Sequence, residues 1–560
     1  MLDSETVETV SSAQDNPDKS STAARIGWAV LILATLYVCY FSHLGAIGFV
    51  GPDEPRYAWI ARDMVETGDW VTPRLYGKPW FEKPPLFYWG AALCFELFGV
   101  SEAAARLPSA ISALLATLAL AWLALRLYGA ETARWLLLLL PTTVGMIGFS
   151  HAAATDMPFS AMLTIAMVCA AVVLGLIRDE NSSVVPQTPW LALFLFGFFL
   201  GLAVLAKGPA AIILCGGAVF FWALFTKRWR DAFRMLHPAT IAAFCLTALP
   251  WYILCARRNP DFFRIFIIEH NFKRYLTPEF QHIQPFWFYI PIVLLALLPW
   301  TAVLAAVAND LRRFPPVESW RLSPSLLFAC LTVFTILFFS ASNSKLPGYI
   351  LPAIPPLGLF VSQSVSLRSR RIVSGSHWIG ITSGTTLFIM GAFSQFRSDT
   401  MQLTPTALAL VGGGLVSAVL GGLRRLSASL ALGTLAVILA IHLALSGAAR
   451  REIDSAVSAR PAPQIAQAIW NNYSPERTST YKLRRSYQYG LNFYFHRELP
   501  EWSVDRVQSG WVFTSGGGGN ELLRLGLRCP FIGFNRAVTV CEDLGSVSGL
   551  AGSGELEQKK

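Results

Sequence analysis

The chain is 560 residues long, 54% apolar and only 14% charged, far below the quarter or so of charged residues in soluble domains, and its mean hydropathy is +0.47. That composition excludes a soluble globular protein and reads as a membrane protein with many spans. The net charge of +10 does not indicate nucleic acid, because the basic residues come as small clusters between apolar runs, the pattern of topology signals.

The first 25 residues are polar and lack periodicity, and a disordered segment is expected there. Residues 26–41, IGWAVLILATLYVCYF, continue through HLGAIGFV instead of reaching a small-residue cleavage site, so they read as a retained first span and not as a removed signal. The next stretch, GPDEPRYAWIARDM (51–64), is crowded with charge. Pro55 suits the first turn of a helix, and Asp53 or Glu54 before it can cap that turn's free N–H groups. Ala58, Trp59, Ile60, Ala61, Met64 and Val65 alternate with Arg56, Arg62, Asp63 and Glu66, and Gly68 supplies a stop. A short amphipathic helix at the membrane surface is expected. YGKPWFEKPPLFYW (76–89) then sets Glu82 and Lys83 beside Pro84 and Pro85, in stiff extended backbone among aromatic residues suited to an interface.

Apolar runs give thirteen candidate spans, near 26–46, 107–127, 133–150, 157–177, 190–206, 209–225, 238–256, 286–307, 325–341, 348–365, 376–393, 405–422 and 428–447. Alternate short loops hold most of the Arg and Lys, for example Lys227, Arg228, Arg230 and Arg234, which places that set in the cytoplasm. The long loops 47–106 and 257–285, and everything after residue 447, then lie outside. Asp156 opens a span on that outer face, where it is either a helix cap or a functional acid at membrane depth. Lys207 and Lys345 stand almost alone in otherwise uncharged outer loops, and each has headgroup snorkelling as its plain alternative. IIEHNFKRYLTPEF (267–280) adds Glu269, His270, Lys273 and Arg274.

Residues 448–545 change composition, with short alternating runs such as SYQYGLNFYF (486–495) and GWVFTS (510–515), and a small α/β domain is expected outside the membrane. The tail 546–560 is expected to be flexible. The nine cysteines show no CxxC or CxxH spacing, so a cysteine-built zinc site is not expected. Cys529 and Cys541 either form a disulfide or remain two buried thiols.

A transporter or flippase would place ionisable residues near the middle of its spans, whereas here charge gathers in the outer loops. A sensor with an outer ligand domain would leave the acids and cations of the first loop unexplained. An enzyme acting at the outer surface accounts for both.

The stretch DEPRYAWIARDMVETGDWVTPRLYGKPWFEKPPLFYW, followed by FGVSEAAARLPSA, ATDMP, LAKGP and SKLPGYILPAIPPL, resembles the bacterial aminoarabinose transferases that modify lipid A. Those belong with the protein O-mannosyltransferases among membrane glycosyltransferases of the GT-C fold. The resemblance covers about residues 26–447, and the C-terminal region resembles the family only in position and size. It implies a polytopic α-helical GT-C protein that takes a sugar from a polyprenyl monophosphate and passes it to lipid A or another glycan or protein acceptor. The family's DExRY acid falls on Asp53 and its second acidic motif on Asp156, with Pro55 at the variable position. By the same resemblance Asp53 is the general base, or orients an acceptor that is already ionised. Asp156 positions the sugar, and Glu54, Tyr57 and Tyr349 are substrate-site candidates. Arg56, Lys83, Lys207, Lys273, Arg274 and Lys345 become candidates to neutralise the leaving phosphate. The scheme needs no cofactor. Glu82 and His270 would suit a divalent ion if their loops met.

Overall fold

A computed structural model describes residues 22–177, 189–276, 283–313, 323–370, 376–396, 404–446, 449–503, 510–529 and 538–544. The tail 546–560, most of the N-terminal segment and part of the 257–285 loop fall outside these residues. Each of the thirteen apolar runs coincides with a helix or a bent pair of helices, as expected where each segment must satisfy its own backbone N–H and C=O groups. Eight of these helices are long and apolar enough to cross a membrane.

Two runs that read as single spans are broken. Ala130–Leu139 bends by 62° into Val144–Ser150, and Phe286–Ala296 bends by 115° into Trp300–Ala308. Pro141 and Pro299 sit at the breaks and cannot donate to the helical ladder. The two breaks meet one another: Val144 N donates to Leu298 O at 3.0 Å, and beside it the Trp300 indole donates to the Thr142 side chain Oγ1 at 2.9 Å.

The helix Asp156–Val173 lies at the centre, with 89% of its apolar window buried. Small side chains along it, Ser160, Ala161, Ala166, Ala170 and Ala171, let neighbouring helices approach closely. Since Asp156 is its first residue, the acid is fixed at the end of the most enclosed helix in the bundle.

The loop helix Asp53–Thr67 ends as its sequence requires, on Gly68 at φ 71° with its N–H bonded to Met64 O. Its apolar stripe is covered by protein: Tyr57, Ala58, Ile60, Ala61 and Met64 pack with Phe87, Tyr88, Ala91 and Phe95 of the helix Leu86–Phe98. No side chain caps it, because the carboxylates of its first turn are engaged elsewhere.

The C-terminal region holds a three-stranded sheet in which Thr478–Tyr481 runs parallel, and Thr539–Asp543 antiparallel, to the central Gly510–Thr514. Every residue of the central strand is buried. SYQYGLNFYF is not a strand; it lies in the helix Arg485–Phe495, whose buried residues Tyr487, Gly490 and Leu491 follow the 3.6-residue period. Cys529 and Cys541 are disulfide-bonded.

Candidate active site

The first loop is anchored by one buried ion pair. Arg106 donates from Nε to Glu54 Oε1 at 3.0 Å and from Nη2 to Oε2 at 2.7 Å, and it also binds the carbonyls of Leu44, Ile47 and Gly48. Glu54 in turn accepts from Val50 N and Ala153 N, both at 2.6 Å. With both side chains almost wholly buried and the carboxylate saturated, Glu54 ties the loop to the bundle and does not face a substrate space. Sequence reading placed Glu54 among the substrate candidates and passed over Arg106, although both stand in the quoted motifs; only their pairing reveals the role.

Asp53 points the other way and is half exposed. Arg56, one turn on, bonds Asp53 through Nη2 and Glu82 through Nη1 at 3.1 Å, and Lys83 Nζ lies 3.8 Å from Glu82. Burial by itself would lower the Arg56 pKa, but Glu82 and Asp53 overcome this and hold it above its ordinary value. The order Asp53, Arg56, Glu82, Lys83 therefore alternates in sign.

A second pair lies at the start of the central helix. Lys207 Nζ is 2.5 Å from Asp156 Oδ1 and 4.6 Å from the Tyr349 ring centre. Gly348 makes the approach feasible, since a Cβ there would stand 2.5 Å from Asp156 Oδ1.

Lys83, Lys207, His270 and Tyr349 line one cavity of about 370 Å³, together with Tyr275, Ser342, Ser344 and the apolar Ile213, Leu276, Phe338 and Phe339. Two ammonium groups over an apolar wall suit an anionic headgroup on a lipid tail. The cavity draws its lining from five separate chain segments, so Tyr275, Ser342 and Ser344 carried no signal in the sequence.

Other sequence candidates do not join this lining. Lys345 is buried, and its Nζ donates to Ser342 O at 2.5 Å and Gln284 O at 3.0 Å; loss of hydration lowers its pKa. Tyr57 is buried in the loop cluster beside Phe87 and Tyr88, and burial, assisted by Glu82 and Asp53, raises its pKa. Lys273 is exposed, and the side chain of Arg274 lies outside the described residues. A divalent ion does not fit Glu82, whose two oxygens face Arg56 and Lys83, and no group of three or more His, Cys, Asp or Glu converges among the described residues.

The family description "Dolichyl-phosphate-mannose-protein mannosyltransferase" matches residues 11–266. The undecaprenyl phosphate-alpha-4-amino-4-deoxy-L-arabinose arabinosyl transferase of Pseudomonas aeruginosa (strain UCBPP-PA14) is 30% identical, covering 69% of this chain and 68% of that one. The proteins of the same name from Erwinia tasmaniensis and Aeromonas salmonicida are 33% and 32% identical over 56% and 60% of this chain. The chain thus spans only 54% and 59% of the length of those two relatives. The crystal structure of ArnT from Cupriavidus metallidurans bound to undecaprenyl phosphate aligns with a TM-score of 0.72 at 25% identity, over 93% of this chain and 99% of that one. The chain therefore belongs to the undecaprenyl phosphate-alpha-4-amino-4-deoxy-L-arabinose arabinosyl transferase family, with its GT-C membrane fold.

Proposed function

We propose that the protein transfers 4-amino-4-deoxy-L-arabinose from undecaprenyl phosphate to lipid A at the outer face of the inner membrane, with the C-terminal region in the periplasm. The observation that carries this reading is the single cavity shared by Lys83 and Lys207, each paired with a carboxylate, above an apolar wall. The relatives' names and the undecaprenyl phosphate bound to the Cupriavidus protein support the same donor class.

In this scheme the donor phosphate lies between Lys83 and Lys207. As the bond from the anomeric carbon to the phosphate oxygen breaks, negative charge gathers on the departing phosphate, and the two ammonium groups stabilise it where it develops. The acceptor oxygen attacks the anomeric carbon from the opposite face, so its configuration inverts. An acceptor hydroxyl gives its proton to Asp53; an acceptor phosphate is already ionised, and Asp53 then orients it or the sugar's amine. Asp156 holds Lys207 in place and faces the sugar.

Mass spectrometry of lipid A and other envelope glycans, from cells with and without the chain, tests the proposal. The expected outcome is an aminopentose-sized addition on lipid A that depends on the chain. An addition of another sugar mass, or on another glycan or a protein, would move the substrate assignment and overturn the lipid A reading.

A further inference from the structure

The helix Arg485–Phe495 has two working faces. Tyr487 and Leu491 enter the core of the C-terminal region. Residues 489, 492 and 493 are spaced i, i+3 and i+4, so they form a separate stripe, which His496, the left-handed residue just past the helix end, continues, and each of the four touches the first loop. Asn492 Nδ2 donates to Tyr76 Oη at 2.9 Å, Phe493 packs edge-on to Phe49 at 4.8 Å, and His496 Nε2 lies 3.0 Å from Glu66 Oε2.

Tyr489 begins this stripe. It is half-buried, lies outside the apolar clusters formed by the described residues, and stacks its ring on Tyr76 of the first loop at 6.5 Å. Its ring centre is 5.3 Å from the Arg56 guanidinium carbon, with Trp80 on the same group at 5.7 Å. With Tyr57 at 5.9 Å, three aromatic rings attract the guanidinium charge while its N–H edges remain on Asp53 and Glu82. Since Asp53 is itself half exposed, its direction follows that of Arg56.

We propose that Tyr489 is a positioning residue for sugar transfer: the C-terminal region reaches across the first loop to fix Arg56 and, through it, the Asp53 carboxylate. The inference rests on the transfer reading above. It makes the C-terminal region part of the reaction machinery, acting on the acceptor side, because Tyr489 does not line the cavity assigned to the donor phosphate.

The test measures kcat and donor KM in proteoliposomes for the full chain and four variants, with Asp53→Asn as the inactive reference. Tyr489→Leu, which keeps an apolar side chain but has no π-face, is expected to lower kcat by about ten-fold, the rate equivalent of a half-buried cation–π contact, between the exposed and the desolvated cases, with donor KM unchanged. Tyr489→Phe keeps the ring and should retain the kcat of the unsubstituted chain. His496→Ala removes another contact of the same stripe without touching Arg56 and should also retain it. A kcat for Tyr489→Leu equal to that of the unsubstituted chain overturns the inference. So does an equal loss in His496→Ala, which would reduce the effect to docking alone. If the unsubstituted chain transfers no sugar, the transfer reading fails and this inference with it; active unsubstituted protein, inactive Asp53→Asn and unaffected Tyr489→Leu would overturn this inference only.

Discussion

At the residue scale, two pairs of side chains that look alike in sequence take different tasks. Glu54 and Asp53 are neighbours, yet Glu54 is locked to Arg106 in the interior while Asp53 is half exposed. Removing one partner of a buried pair leaves the other uncompensated, at a cost of about 3–5 kcal/mol. Glu54→Gln is therefore expected to lower the thermal midpoint of the detergent-solubilised protein sharply, where Asp53→Asn leaves it unchanged. Lys345 shows the same division. Its ammonium serves the carbonyls of Ser342 and Gln284, so Lys345→Ala should destabilise by roughly 1–3 kcal/mol without changing donor KM. Lys207→Ala, by contrast, should raise donor KM, because that side chain lines the cavity. A Gly348→Ala methyl would press on Asp156 Oδ1 and Cγ, at 2.5 and 2.9 Å, and displace the acid from Lys207; kinetic assay of that variant should show a lower kcat.

At the element scale, the first loop is held to the bundle by a few anchors whose strength depends on charge. Asp69 accepts from Val71 N at 3.1 Å and Thr72 N at 3.2 Å, and it pairs with Arg258 at 3.0 Å and Arg74 at 3.5 Å. Burial would raise its pKa, but the two N–H bonds and the two arginines together hold it below the ordinary value of 3.8. A carboxylate with a lowered pKa contributes its stabilisation above the ordinary value and loses it as pH falls through the lower one. The anchor is thus complete at neutral pH and fails only below about 3.8. Asp69→Asn should reproduce that loss at pH 7, read as faster limited proteolysis within residues 68–85. The helices themselves were largely legible, because a run of some twenty apolar residues leaves few alternatives. The breaks at Pro141 and Pro299 were present as prolines, but whether a proline kinks or divides a span depends on which groups satisfy the freed backbone, here a contact between two distant segments. SYQYGLNFYF misled for a related reason: its aromatic residues are apolar on both faces of the helix, since one face packs into the C-terminal region and the other onto the first loop, and the period is hidden.

At the scale of the whole molecule, the proposed transfer depends on bringing three remote parts together. The first loop contributes Asp53, Arg56, Glu82 and Lys83, the central helix and its neighbour contribute Asp156 and Lys207, and the C-terminal region adds Tyr489. The motif residues of the first two parts were visible in the sequence, and the cavity does gather Lys83, Lys207, His270 and Tyr349. What the sequence left open was which cation meets which acid, because a charge in a loop reads the same whether it faces a ligand, a carbonyl or the headgroups. The central claim, that this assembly moves an aminopentose with Asp53 at the reacting centre, is tested most directly in proteoliposomes supplied with undecaprenyl phosphate-linked 4-amino-4-deoxy-L-arabinose and lipid A. The unsubstituted chain should add one aminopentose mass to lipid A, and folded Asp53→Asn should slow that transfer by about 10²-fold or more. Full transfer by folded Asp53→Asn would contradict the account.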